Sequence, residues 1–223
     1  MLALAAEAIY LTGRTWLLRN MPPGVAQEFA WTVWRLPFIG IYFWLLAAFL
    51  PKATACRTVP RHPFLLLALV LSLAEVFNQP ERSLDYRAAL AASAPVVAIR
   101  EELFYRAIVQ GFMERLAPPW MAIATSTLAF VAFHIGAQPM NVVSITGIAA
   151  TAILLGAIYQ RTGNLWLVAG LHALIDVAFA FGPSLAIAPG LLITCNILAA
   201  AFALAWWRVD RGLAGPAPRS VPF

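Results

Sequence analysis

Six ionisable residues stand in stretches of this chain that are otherwise apolar. Glu101, Glu102 and Arg106 lie in REELFYR (residues 100–106), His134 closes FVAFH (130–134), and His172 opens HALID (172–176), which ends on Asp176. A charge inside a long apolar helix is costly, so it usually faces the interior of a bundle and marks function. Glu102 and Arg106 are four residues apart with the acid first, a spacing that sets them side by side on a helix as an ion pair. Glu101 lies about 100° further round the same helix, away from Arg106. This leaves it as the free carboxylate, a candidate to take a proton from water. His172 and Asp176 are one turn apart, so the acid can share a face with the imidazole and orient it. Each feature has a bland alternative: two glutamates that only tie helices together, or a histidine that only satisfies a core hydrogen bond. Together, a free carboxylate, two histidines and an aspartate on three separate spans are hard to explain as packing. Their convergence on one cavity is an expectation for the fold to meet.

The elements that must position them are membrane helices. The chain has 223 residues, 62% hydrophobic and 11% charged, against about 45–50% and about 25% in soluble domains. Apolar runs of spanning length fall at Trp31–Leu50, Pro63–Phe77, Tyr86–Met113, Pro118–Ala137, Asn141–Gln160, Asn164–Phe181 and Ala186–Trp207, with Leu2–Leu18 as an eighth span or an interfacial helix. The expectation is an all-α, polytopic transmembrane helix bundle of about seven to eight spans. It forms one domain over 1–223, with a motif core at about 94–181 and a flexible tail at 212–223. No cleaved leader is expected, because no basic residues precede the first apolar run. Glu75 and Arg35 sit nearer the ends of their spans, where snorkelling accounts for them. Cys56 and Cys195 have no partner at metal-ligand or disulfide spacing.

Basic residues mark alternate connections: Lys52, Arg57 and Arg61, then Arg115, Arg161, Arg208 and Arg211. The intervening loops NQPERSLD, GAQPMN and FGPS are almost free of them. The positive-inside rule places the basic loops and the C-terminus in the cytoplasm, and it reads the net charge of +5 as topology rather than as nucleic-acid binding. His134 then lies near the outer end of its span and Asp176 in the outer half of its own, so the site leans outward.

The ordered set Glu101-Glu102-Leu-Phe-Tyr-Arg106, Phe130-Val-Ala-Phe-His134 and His172-Ala-Leu-Ile-Asp176 resembles the CPBP intramembrane proteases, also called the CAAX prenyl protease and Abi family. The family pattern is EExxxR, FxxxH and HxxxN or HxxxD, and the resemblance covers about Ala94 to Phe181. The prenyl proteases commonly carry Asn where Asp176 stands. The resemblance implies an endopeptidase in which Glu101 activates water, His134 helps to hold it, and His172 with Asp176 stabilises the oxyanion. Glu102, Arg106 and Phe130 support the site. No metal or cofactor is favoured; the rival reading places a zinc ion on Glu101, His134, His172 and Asp176. The chain contains no HExxH and no GxSxG, which speaks against zincin and serine-hydrolase chemistry.

The expected partners are membrane lipid and a protein or peptide with a membrane-associated tail. The outward lean fits a multi-pass protein of a bacterial inner membrane that trims exported proteins, as in the processing of C-terminal sorting signals. Two alternatives come from other classes. One is a non-enzymatic Abi-type immunity or scaffold protein. The other is a proton-coupled transporter, for which the chain shows no inverted repeat.

Overall fold

The computed structural model describes residues 1–49, 63–77, 79–137 and 140–213. They fold into helices, with no β-strand among the described residues. The elements are α1 (Leu2–Asn20), α2 (Val25–Phe49), α3 (Pro63–Ser72) with a 3-10 turn at Ala74–Phe77, α4 (Leu84–Glu102), a π-helical segment (Leu103–Gln110), α5 (Gly111–Leu116), α6 (Pro119–Phe133), α7 (Val142–Thr162), α8 (Leu165–Phe181) and α9 (Pro189–Leu213). Each apolar run expected to span coincides with a helix. The basic loop of Lys52, Arg57 and Arg61, and the tail from residue 214 onward, lie outside the described residues.

Local chemistry sets the boundaries. Ser83, Asn141 and Asn164 cap α4, α7 and α8 by accepting the backbone N–H of Tyr86, Ser144 and Leu167. Pro119 sits in the first turn of α6, where its missing N–H costs nothing. The connection between α7 and α8 is two residues long. Gly163 adopts φ 61° and returns its N–H to the Tyr159 carbonyl, a left-handed ending that glycine reaches without Cβ strain. Asn164 then starts the next helix. So short a turn makes α7 and α8 antiparallel neighbours.

α4 runs through the middle of the bundle. It packs on α8 and α2, while α7 holds α6 and α9, α3 lies on α9, and α1 lies on α2. All eight residues from Arg100 to Ala107 are buried. The helix changes to wider π turns at Leu103, directly after the two glutamates; such turns recur where a helix carries function. Arg100, which the sequence reading left without a partner, is fully buried and pairs with Glu7 of α1. Tyr42 and Tyr105 donate to the same Glu7 carboxylate, and the Arg100 guanidinium lies 3.7 Å from the Tyr10 ring centroid. α1 and α2 are thus tied to α4 by a buried polar network.

Three helices among the described residues are long and apolar enough to cross a membrane, at Val25–Ala48, Val142–Thr162 and Pro189–Val209. Shorter apolar helices lie at Pro63–Phe77, Pro119–Phe133 and Leu165–Phe181. By this measure three spans stand where seven to eight were expected. The outer surface is apolar, with Leu66, Leu128, Trp166, Leu174 and Leu191 all exposed.

The snorkelling assigned to Arg35 and Glu75 is not what the fold shows. Arg35 is 2% exposed and donates to Glu28 Oε1 at 3.3 Å. Glu75 turns inward and accepts from the Asn196 amide of α9. Both residues have bundle-interior partners, which removes the need to reach for water.

Candidate active site

Glu101 (α4), His134 (the C-cap of α6), His172 and Asp176 (both α8) line one cavity of about 670 Å³. The cavity opens at one end of the bundle. Its rim includes Gln79 and Arg82 before α4, Ala137 and Asn141 before α7, and Pro189 at the start of α9. The rim loops are joined to each other: Leu185 N–H donates to the Phe77 carbonyl at 2.9 Å, and Gln79 N–H to the Pro183 carbonyl at 3.3 Å.

The two glutamates have different surroundings. Arg106 Nε donates to Glu102 Oε2 at 2.9 Å, the pair the spacing predicts, and neither side chain is exposed. Arg106 also donates to Ser126 Oγ at 2.8 Å, and that hydroxyl donates to the Tyr105 carbonyl at 2.8 Å. Glu101 faces the cavity instead. Among the described residues its carboxylate accepts no hydrogen bond, and its ion-pair contact is His172 Nε2 at 3.9 Å. It is 3% exposed, so a water bound there meets few competitors.

The imidazoles are fixed by different means. His134 Nδ1 is 2.8 Å from the Phe130 carbonyl one turn back. A carbonyl only accepts, so Nδ1 carries the hydrogen and the neutral ring keeps its Nε2 lone pair for the cavity. His172 Nδ1 is 2.8 Å from Glu102 Oε1. Glu102 therefore holds both Arg106 and His172, a link between α4 and α8 that sequence reasoning missed. Asp176, expected to orient His172, lies 3.6 Å from the other ring nitrogen, Nε2. That is ion-pair range, longer than a hydrogen bond. Nε2 of His172 therefore looks at two carboxylates, those of Glu101 and Asp176. Phe130 packs between these parts, with its ring centroid 4.7 Å from that of His134, 5.9 Å from that of His172 and 5.4 Å from the Arg106 guanidinium carbon.

Arg14, Glu28, Arg35 and Glu75 also line the cavity and were not anticipated as parts of it. A signal for α1 was present: Glu7, Tyr10 and Arg14 are three and four residues apart, and so share one face of a helix. Among the described residues no group of three or more His, Cys, Asp or Glu side chains is arranged to hold a metal ion.

A membrane-type helical bundle around a buried carboxylate–imidazole cavity is the class that fold and site define. Residues 84–178 match the family model described as type II CAAX prenyl endopeptidase, Rce1-like. This is the CAAX protease family that the three motifs resemble, and the matched segment contains Glu101, His134, His172 and Asp176. Comparisons with curated proteins and with solved structures returned no match.

Proposed function

We propose that this chain is an intramembrane endopeptidase that hydrolyses a peptide bond near a membrane-embedded or C-terminal segment of a substrate protein. The observation that carries the reading is the gathering of Glu101, His134, His172 and Asp176 around one cavity, within a segment matched to an endopeptidase family. Glu101, shielded and accepting no hydrogen bond among the described residues, takes a proton from a water whose other hydrogen is held by His134 Nε2. The hydroxide attacks the scissile carbonyl carbon. His172, with Nδ1–H fixed by the Glu102 carboxylate, donates from Nε2 as an imidazolium to the developing oxyanion. The C–N bond breaks, and Glu101 returns its proton to the leaving amine. Preorganised donors of this kind typically contribute about 100- to 1,000-fold in rate.

In this reading every helix other than α5 crosses the bilayer, the shorter α3, α6 and α8 included. α4 misses the hydropathy of a span because it carries Arg100, Glu101 and Glu102, and those three face the bundle rather than lipid. The cavity mouth lies at the end whose loops are poor in Lys and Arg, which the positive-inside rule assigns to the outer face. A site there meets the membrane-anchored ends of exported proteins. Labelling of a cysteine introduced at Ser184 tests the orientation: reaction with an impermeant reagent only after the membrane is opened reverses it.

The test of the activity compares wild type with Glu101→Gln, purified in detergent, on peptides ending in membrane-anchor or CAAX-like tails, with and without chelator. Cleavage by wild type alone, surviving chelation, is the expected result. Equal cleavage by both proteins removes Glu101 from the mechanism, and loss of cleavage on chelation replaces glutamate chemistry with metal chemistry.

A further inference from the structure

One charged side chain in the cavity wall is neither part of the proposed reaction nor matched by a charge or ring of the protein's own. Arg35 is paired with Glu28, Arg14 donates to the Phe133 carbonyl, and the Arg82 guanidinium lies 6.0 Å from the Tyr86 ring centroid. Glu75 is the exception. Among the described residues no Lys, Arg or His comes within ion-pair distance of it. Its Oε1 accepts from the Asn196 amide, a neutral donor. Its Oε2 accepts no hydrogen bond among the described residues and keeps accessible surface, on a side chain that is partly exposed. The carboxylate is nevertheless held in place. Asn196 is 1% exposed and its amide also reaches Thr146 Oγ1 at 3.2 Å. Gln79 Nε2 donates to the Glu75 carbonyl at 2.7 Å, which fixes the turn that carries it, and Gly147 leaves the carboxylate room to lie against α7.

A carboxylate partly withdrawn from water and without a countercharge is a seat for a cation. Its shape selects the kind. A guanidinium fork matches two free carboxylate oxygens, whereas an ammonium is a compact point charge that one oxygen can receive. With Oε1 committed to Asn196, only Oε2 is open. We propose that Glu75 receives the ammonium of a lysine side chain of the substrate, and so sets specificity at one position flanking the scissile bond. This rests on the endopeptidase reading above and deepens it. Glu75 stands four residues before Gln79 of the rim, so the lysine lies toward the mouth, where an anchored segment leaves the membrane and a long basic side chain is readily accommodated. Glu75 and Asn196 both lie outside the matched residues 84–178, so this contact comes from elements that the family segment does not include.

The test uses a membrane-anchor peptide in which lysine, its uncharged isostere norleucine, or arginine is placed in turn at each position flanking the cut. The ratio of kcat/KM for lysine over norleucine is measured for wild type, Glu75→Gln and Glu75→Asp. A ratio is independent of the fraction of each variant that folds. At one position wild type should favour lysine by about 10- to 100-fold, the span of one hydrogen bond to a charged group, mostly through KM, and arginine by less. Glu75→Gln, which keeps an oxygen for Asn196, should bring that ratio to about 1, and Glu75→Asp should give an intermediate value. A wild-type ratio near 1 at every position, a preference for arginine over lysine, or a lysine preference that Glu75→Gln leaves unchanged overturns the proposal. If wild type cleaves none of the peptides, the endopeptidase reading is what fails. The lysine site is then judged by binding of the lysine and norleucine peptides to Glu101→Gln protein with and without Glu75→Gln. Preference for lysine that depends on Glu75 supports it, and equal binding sinks it. If the peptides bind equally and phosphatidylethanolamine nanodiscs raise the melting temperature only when Glu75 is present, the amine is a lipid headgroup's and the proposal is wrong.

Discussion

His172 Nδ1 lies 2.8 Å from one oxygen of Glu102, while the other oxygen of that carboxylate takes Arg106 Nε at 2.9 Å. One fully buried carboxylate therefore neutralises a cation on its own helix and orients the ring of a histidine on another. Nδ1–H is committed to Glu102, so Nε2 is the nitrogen turned to Glu101, Asp176 and the cavity.

Replacing Glu102 with Gln should disturb both functions. The amide keeps the size of the carboxylate but leaves Arg106 without its countercharge and can present a donor to His172 Nδ1. Breaking one side of a buried ion pair typically costs about 3–5 kcal/mol. We expect a marked fall in thermal stability in detergent, and a loss of cleavage of about 100-fold or more in the protein that remains folded, on the scale of one lost oxyanion donor. A stable Glu102→Gln protein with wild-type turnover would show that His172 is oriented by something else.

Asp176 makes a separate prediction. Its carboxylate is 3.6 Å from His172 Nε2, and its side chain keeps 30% exposure. An ionised Asp176 therefore competes with an oxyanion for the donor on Nε2, whereas an asparagine amide can donate to the oxyanion beside His172. Asp176→Asn, which supplies a donor, should cleave at least within about 10-fold of wild type, and Asp176→Ala should fall well below Asp176→Asn, since one oxyanion donor is worth about 100-fold or more. Steady-state kinetics on a cleaved peptide decide it. Loss of cleavage in both variants would mean that the negative charge, not a donor, is needed at this position.

The parts of this site that could be read from the sequence were those governed by helical spacing. Glu102 and Arg106 meet because residues four apart on a helix meet, and the apolar runs became helices because composition dictates it. What stayed hidden depends on which helices touch. Nothing in the chain's order announces that Glu102 on α4 reaches His172 on α8, or that Arg100 finds Glu7, 93 residues away. Arg35 and Glu75 were misplaced for the same reason. Nearness to a helix end made escape to water plausible, until Glu28 and Asn196 proved to be their partners inside the bundle.

The pair formed by Glu7 and Arg100 should behave as a structural unit. Arg100 is fully buried and Glu7 is 7% exposed, and the carboxylate also receives Tyr42 and Tyr105. Glu7→Gln or Arg100→Met alone should each lower stability by about 3–5 kcal/mol, because each leaves a buried charge uncompensated. The double substitution should cost clearly less than the sum, since it removes both charges together. Thermal melts of the four proteins in one detergent measure the coupling. Additive losses would mean that the two side chains are stabilised independently.

A third cluster ties the turn before α4 to α7 and α9. The Glu75 carboxylate accepts from Asn196, whose amide also reaches Thr146 Oγ1 at 3.2 Å, and it lies directly over Gly147. A methyl group built on Gly147 would overlap that carboxylate. Gly147→Ala must therefore push Glu75 off Asn196 and should lower stability by about 1–3 kcal/mol, the usual cost of overpacking. In a Glu75→Ala background the space is open, and the same substitution should cost under about 1 kcal/mol, as volume-tolerant changes do. Glu75 and Gly147 both line the cavity, so Gly147→Ala should also reduce cleavage while the fold survives. An equal stability loss in both backgrounds would show that Gly147 is needed for helix packing rather than for seating the Glu75 carboxylate.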